Sequence, residues 1–223
     1  MEIMIVPDLR NRFPDLKVLA FSVKDVKVTK RKDELEEFKK LVFDDVRKRY
    51  SLETVKDVPV FRTFRDFFWK IGIDPTKNRP AAEALVRRIL AGKPIPSINT
   101  AADACNLASI KSEVPLATFD EDKIKGKLTM RFALKEESFL GIGMTKPMSL
   151  NGGEVVISDS ERIVALYPHR DADYSKLTEK TRNVTILVCG VPGISLETLN
   201  HSKQIAIEYI NKFCNGRTET TSV

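Results

Sequence analysis

The spacing of hydrophobic positions changes period several times along this chain. EIMIV near the start and LKVLAFSVKDVKV read as strands, the second alternating Val23, Asp25, Val26 and Val28 imperfectly against lysines. From Asp33 to Tyr50 the apolar residues Leu35, Phe38, Leu41, Val42 and Val46 recur at helical spacing with charges between them, which predicts a helix with one core-facing stripe. DVPVFRTFRDFFWKIG predicts a second helix with Phe61, Phe64, Phe67, Phe68 and Ile71 inward and Gly72 at its C-terminal cap. Its aromatic stripe reads as core rather than as a platform for bases, with Arg62, Arg65 and Lys70 facing outward. PAAEALVRRILAG predicts a third helix with Pro80 in its first turn and Gly92 past its end, and NTAADACNLASIKSE another from about Thr100 to Ser112.

Beyond this point the pattern turns to short apolar runs broken by turn signals. VPLATFD, KLTMRFAL, SFLGIG, GEVVISD, RIVALYP and NVTILVCG predict strands of a sandwich-like or barrel-like sheet rather than a repeated strand–helix–strand unit. A last helix starts at Ser195, a good N-cap, and runs to Cys214 with Gly216 beyond it. RTETTSV, residues 217–223, is expected to be a disordered tail. With no repeat and no linker, residues 1–216 predict one α+β domain.

Composition narrows the class. At 42% hydrophobic and 30% charged the chain fits a globular protein, and no apolar run approaches the roughly 20 residues of a spanning helix. MEIMIVPDL meets Pro7 and Asp8 too soon for a signal peptide, so a cytoplasmic location is expected. Cys105, Cys189 and Cys214 are odd in number and far apart, which predicts reduced, buried thiols; His169 and His201 stand at unrelated positions, so no metal and no cofactor are expected. The net charge is +6, and residues 1 to 95 hold 22 Lys and Arg against 15 Asp and Glu. Any polyanion-binding face should therefore lie mostly on the N-terminal half.

Motif-defined chemistry is sparse. Walker loops, GxGxxG, HExxH, GxSxG and paired CxxC are all missing, and the glycines of GIG (141–143) and NGG (151–153) read as hairpin turns. GIDPTKNRP places Lys77 and Arg79 just before a helix start, where they either help seat a phosphate or belong to a rigid Asp-Pro turn that packs the helix. YPHRDADYSKLTEKT, Tyr167 to Thr181, lies between two core strands. There His169 is suited to proton transfer, Arg170 to holding an anion, and Asp171 or Asp173 to orienting water or reading an amine; the alternative is a solvated loop.

The ordered series xPTKxRP, INxxxDxxN, PxxxFDxDKI and an Arg-containing turn followed by TEKT covers roughly Asp57 to Gly193. It resembles the B3/B4 tRNA-binding (editing) domain of the phenylalanyl-tRNA synthetase beta subunit, and most closely freestanding single-domain proteins built from that module. The resemblance implies a three-layer α+β fold around a β-sandwich of unusual topology, with a pocket where helices and sheet meet. It also implies tRNA as partner and hydrolysis of the ester of wrongly charged tRNA; in the synthetase the module removes tyrosine from the phenylalanine tRNA.

Carried over by position, Asn106 matches the asparagine that lines the editing pocket, Asn99 and Asp103 match the preceding helix positions, and Phe119 and Asp120 match the FD pair. The synthetase form reads PLHAFD where this chain has Ala117 and Thr118, a departure that puts tyrosine specificity in question. Tyr167 and Arg170 match the aromatic turn with arginine found in freestanding members. The resemblance thus implies Asn106, His169 and Arg170 as catalytic residues, with Thr118, Asp120, Tyr167 and Asp171 contacting substrate and Lys77, Arg79, Arg87 and Arg88 contacting RNA. His169 is expected to be the one titratable group of the site near neutral pH. Three functions fit: a deacylase acting on tRNA in trans, a non-catalytic tRNA-binding module, or a small-molecule binder on the same fold.

Overall fold

The computed structural model describes residues 3–218. In chain order the elements are β1 (Ile3–Ile5), α1 (Pro7–Arg12), β2 (Val18–Lys24), α2 (Asp33–Arg49), α3 (Pro59–Lys70), α4 (Ala81–Leu90) and α5 (Thr100–Ser112). The β-rich part follows as β3 (Leu116–Asp120), β4 (Leu128–Phe132), β5 (Ser138–Phe139), β6 (Met148–Ser149), β7 (Val155–Ser158), β8 (Ile163–Leu166), β9 (Arg170–Asp171) and β10 (Val184–Cys189), and the chain closes with α6 (Leu196–Cys214) and β11 (Arg217–Thr218).

Two sheets carry the fold. One has the order β11-β2-β10-β3, all antiparallel, with Leu187 opposite Ala20 on one side and Ala117 on the other. The other has the order β1-β4-β7-β8-β9, in which only β1 and β4 run parallel. A parallel pair needs a long crossover. Here that crossover holds β2, β3 and all the helices from α1 to α5, so the helical layer is inserted between neighbouring strands of one sheet.

Layering follows from burial. Every residue of β10 is buried, as expected for a strand covered on both faces. α5 and α6 pack against each other, with α5 also meeting β3 and α6 meeting β2 and β10, and α2 and α4 pack outside α5. Along β7, Val155 and Ile157 join the main core, while Val156 joins a smaller cluster with Phe139 and Leu150 beneath the β5–β6 hairpin. The result is the α+β arrangement of helices over two sheets that the sequence predicts. The stripe Phe61, Phe64, Phe67 and Phe68 is core, each ring contributing about 1.5–3 kcal/mol by burial.

α5 is buried almost all round, with Ala101, Ala104 and Ala108 fully enclosed. Such a helix has little polar face. Asn106 is one of its few residues with accessible surface.

Several elements differ from the expectation. α1 is a single short helix, started by Pro7 and burying only Leu9, so it leaves no periodic signal. Residues 217 and 218, expected in the tail, pair with Lys24 and Val23; residues 219–223 lie outside the described residues. Asn215, with φ 53°, takes the left-handed position after α6 ahead of Gly216. Gly143, Gly152 and Gly153 have positive φ as turn glycines do, but Gly141 differs. It bridges to Ala172, and a Cβ there would run into the Arg170 side chain, so this glycine serves close packing.

Candidate active site between the two sheets

The segment that the sequence singles out ends β8 and forms the edge strand β9. Its Tyr167–Pro168 bond is cis, and the Tyr167 hydroxyl donates to the Gly190 carbonyl, tying the turn to the end of β10. At this edge the two sheets meet, because the Thr118 amide of β3 donates to Asp171 Oδ2 at 3.1 Å.

A cavity of about 160 Å³ lies at this junction. Asn106 enters from α5, Ala117 from β3, Cys189 from β10, and His169, Arg170 and Asp171 from the turn; Ala81, the first residue of α4, borders it. Among the described residues the Asn106 side chain makes no hydrogen bond within the protein, so its amide is available to a ligand. Asp171 is half-buried where it lines the cavity, and burial pushes its carboxyl up to about 7 against the opposing Thr118 amide. Burial first, and the Arg170 guanidinium second, hold the His169 imidazole below the ordinary histidine range. His169 Nδ1 is buried without a hydrogen-bond partner, and the ring meets Phe68 edge-on at 6.5 Å.

Burial thus shifts both groups toward their neutral forms, and Asp171, expected only to contact substrate, is the one pushed up to about 7. Arg170 is exposed, its NH1 reaching the Ile142 carbonyl at 3.4 Å. A groove of about 830 Å³, bordered by Arg12, Asn78, Met144, Met148 and Asn151, shares Tyr167, His169 and Arg170 with the cavity.

The structure separates the remaining predicted residues from the cavity. Thr118 contributes its amide rather than its side chain. Asp120, at the far end of β3, accepts the Thr181 hydroxyl at 2.7 Å and pairs with Lys123 at 3.7 Å, so the FD and TEKT segments fasten each other. Asn99 caps α5 through the Ala102 amide and donates to the Leu177 carbonyl. Asp103 is buried with Lys39 at 2.7 Å and accepts the Ile98 amide.

Of the four cations expected to contact RNA, Lys77 and Arg79 are exposed and have no ion-pair partner among the described residues. Arg87 Nε is bound to buried Glu83 at 2.7 Å, beside Arg65, and Arg88 holds the Pro94 carbonyl at 2.9 Å. The turn before α4 is built by Asp74, which accepts the Thr76 amide and hydroxyl. Ala81, Ala165 and Cys189 carry no local signal that would place them at the site; strand alternation places Ala117 and Cys189 on definite faces, but nothing local pairs β3 with β9.

Residues 63–216 match the B3/4 domain. The chain belongs to that family. Among curated relatives, the phenylalanine–tRNA ligase beta subunit of Corynebacterium jeikeium is 30% identical over 145 residues, covering 65% of this chain and 16% of that protein. The beta subunit of Fusobacterium nucleatum is 29% identical over 91 residues, 41% of this chain and 11% of its own length. The B3/4 chain thus spans a small part of these relatives. An N-terminal fragment of the phenylalanyl-tRNA synthetase beta-subunit from Pyrococcus horikoshii shares the fold, with a TM-score of 0.52 at 15% identity over 97% of this chain and 49% of that one. The B3/4 match takes in the cavity residues from Ala81 to Cys189. Among the described residues no helix is long and apolar enough to cross a membrane, and no group of three or more His, Cys, Asp or Glu is placed to hold a metal ion.

Proposed function

We propose that this B3/4 protein binds tRNA and hydrolyses the ester of mischarged aminoacyl-tRNA in trans. The observation that carries the reading is a small cavity in which an unengaged amide, Asn106, and a carboxyl that titrates near neutrality, Asp171, line the same space. An aminoacyl ester is already activated, so positioning a water and binding the developing oxyanion supply much of the acceleration.

In this mechanism ionised Asp171 accepts a proton from the attacking water. The carbonyl oxygen becomes an oxyanion that receives a hydrogen bond from the Asn106 amide. The carbon–oxygen bond to the ribose breaks, and the ribose oxygen leaves with the proton that Asp171 accepted. Neutral His169 orients the ester or the water by hydrogen bonding. Arg170 and the adjoining groove take the phosphate and nucleoside of the tRNA end, with Lys77 and Arg79 contacting phosphates further out.

One observation favours the non-catalytic reading: Ala117 leaves the β3 wall of the cavity without a hydrogen-bonding side chain. Release of amino acid from a mischarged tRNA pool decides between the two. We expect turnover by the wild-type protein and losses of about 10²-fold or more in Asn106→Ala and in Asp171→Asn. Binding without turnover assigns the non-catalytic module, and full activity in both variants places the chemistry elsewhere.

A further inference from the structure

The far wall of the cavity is apolar and small. Ala117, Ala165 and Cys189 are buried there, with Pro115 and Leu116 beside them. Two donors at this wall have spent their protons: the Tyr167 hydroxyl donates to the Gly190 carbonyl, and Cys189 Sγ to the Leu187 carbonyl at 3.8 Å. The polar groups that remain, Asn106, His169 and Asp171, are suited to the ammonium and ester common to every aminoacyl group.

Volume sets the second limit. A cavity of about 150 Å³ admits benzene, about six heavy atoms. The space here is about 160 Å³. The ammonium, α-carbon and carbonyl of an aminoacyl ester take up about four of those atoms, leaving room for about two or three more.

We infer that the acyl group accepted at this site carries a short apolar side chain, from alanine to valine, and that phenylalanine and tyrosine are excluded. The inference rests on the deacylase reading for its turnover and on the cavity alone for its size limit. A threonine or serine hydroxyl would find no free donor on the far wall, but an apolar pocket rejects an added hydroxyl only weakly, by about 10²-fold.

The test uses the full chain with tRNAs esterified by alanine, valine, serine, phenylalanine and tyrosine, together with non-hydrolysable 3′-aminoacylamino-adenosines bearing the same side chains. We expect kcat/KM for the alanyl or valyl ester to exceed that for the phenylalanyl and tyrosyl esters by tenfold or more, with the analogues binding in the same order. Ala165→Leu should abolish the preferred binding. Cys189→Ala should widen the wall and raise the rate of longer acyl chains relative to alanine, a gain that misfolding does not produce. Aromatic esters or analogues handled as well as the short ones overturn the inference while leaving the deacylase intact. Short-chain preference in analogue binding without hydrolysis of any ester overturns the deacylase reading and supports the size limit. Equal binding of all analogues overturns the size limit whatever the turnover.

Discussion

Asp171 and His169 both depart from the behaviour their residue types suggest. An imidazole in a surface turn ordinarily titrates near neutrality and a carboxylate well below it, but here the turn is folded into the sheet junction and burial moves each group toward its neutral form. Deacylation should therefore increase as the pH is raised through about 7, where Asp171 loses its proton, and a pH–rate profile of Asp171→Asn should lack that limb. Stability should move the other way. The folded carboxyl binds its proton more tightly than the unfolded one, so the contribution of Asp171 to stability falls as the pH rises from about 4 to about 7, by about 1.4 kcal/mol per unit at most. Thermal melts should show Asp171→Asn gaining on wild type across that range and levelling off above it. That one turn carries both residues was legible in the sequence, but their protonation was not, because it depends on which elements close over the turn.

Elements divide the recognisable motifs into frame and pocket. In INxxxDxxN, Asn99 caps α5 and Asp103 neutralises buried Lys39, while only Asn106, about one turn further along the helix, reaches the cavity. Asp103→Ala should thus lower stability by about 3 kcal/mol in denaturant unfolding, because it leaves a buried ammonium with Glu36 as its remaining carboxylate, whereas Asn106→Ala should leave stability nearly unchanged. α4 shows the same division. Arg87 and Arg88 serve Glu83 and the Pro94 carbonyl, and Lys77 and Arg79 stay exposed in the turn before the helix. In filter-binding titrations over a range of salt, Lys77→Ala and Arg79→Ala should each weaken tRNA binding and reduce the slope by up to about one, while Arg87→Ala should instead destabilise the fold. Helical periodicity made α2 to α6 legible to within a few residues; the partners of the arginines depend on loops that periodicity does not reach.

At the scale of the molecule, the pattern of strands and helices led to an α+β chain, and the long strands β2, β3, β4, β7, β8 and β10 all fall in runs read as strands. Missing from that reading were the pairing of β1 with β4 across the helical layer and the meeting of β3 with β9, both set by contacts distant in sequence. The three thiols were expected to be buried, and they are, in free form. A thiol reagent should accordingly modify less than one cysteine in the native protein and all three after denaturation, measured by absorbance of the released chromophore. The hydrogen bond from the Thr118 amide to Asp171 also has a spectroscopic consequence. That amide proton sits against a carboxylate at high pH and a carboxylic acid at low pH, so its chemical shift is a native gauge of the site's charge. Its resonance should titrate near pH 7 in the free protein, and a bound ammonium, by favouring the carboxylate, should displace that midpoint downward before any ester is broken.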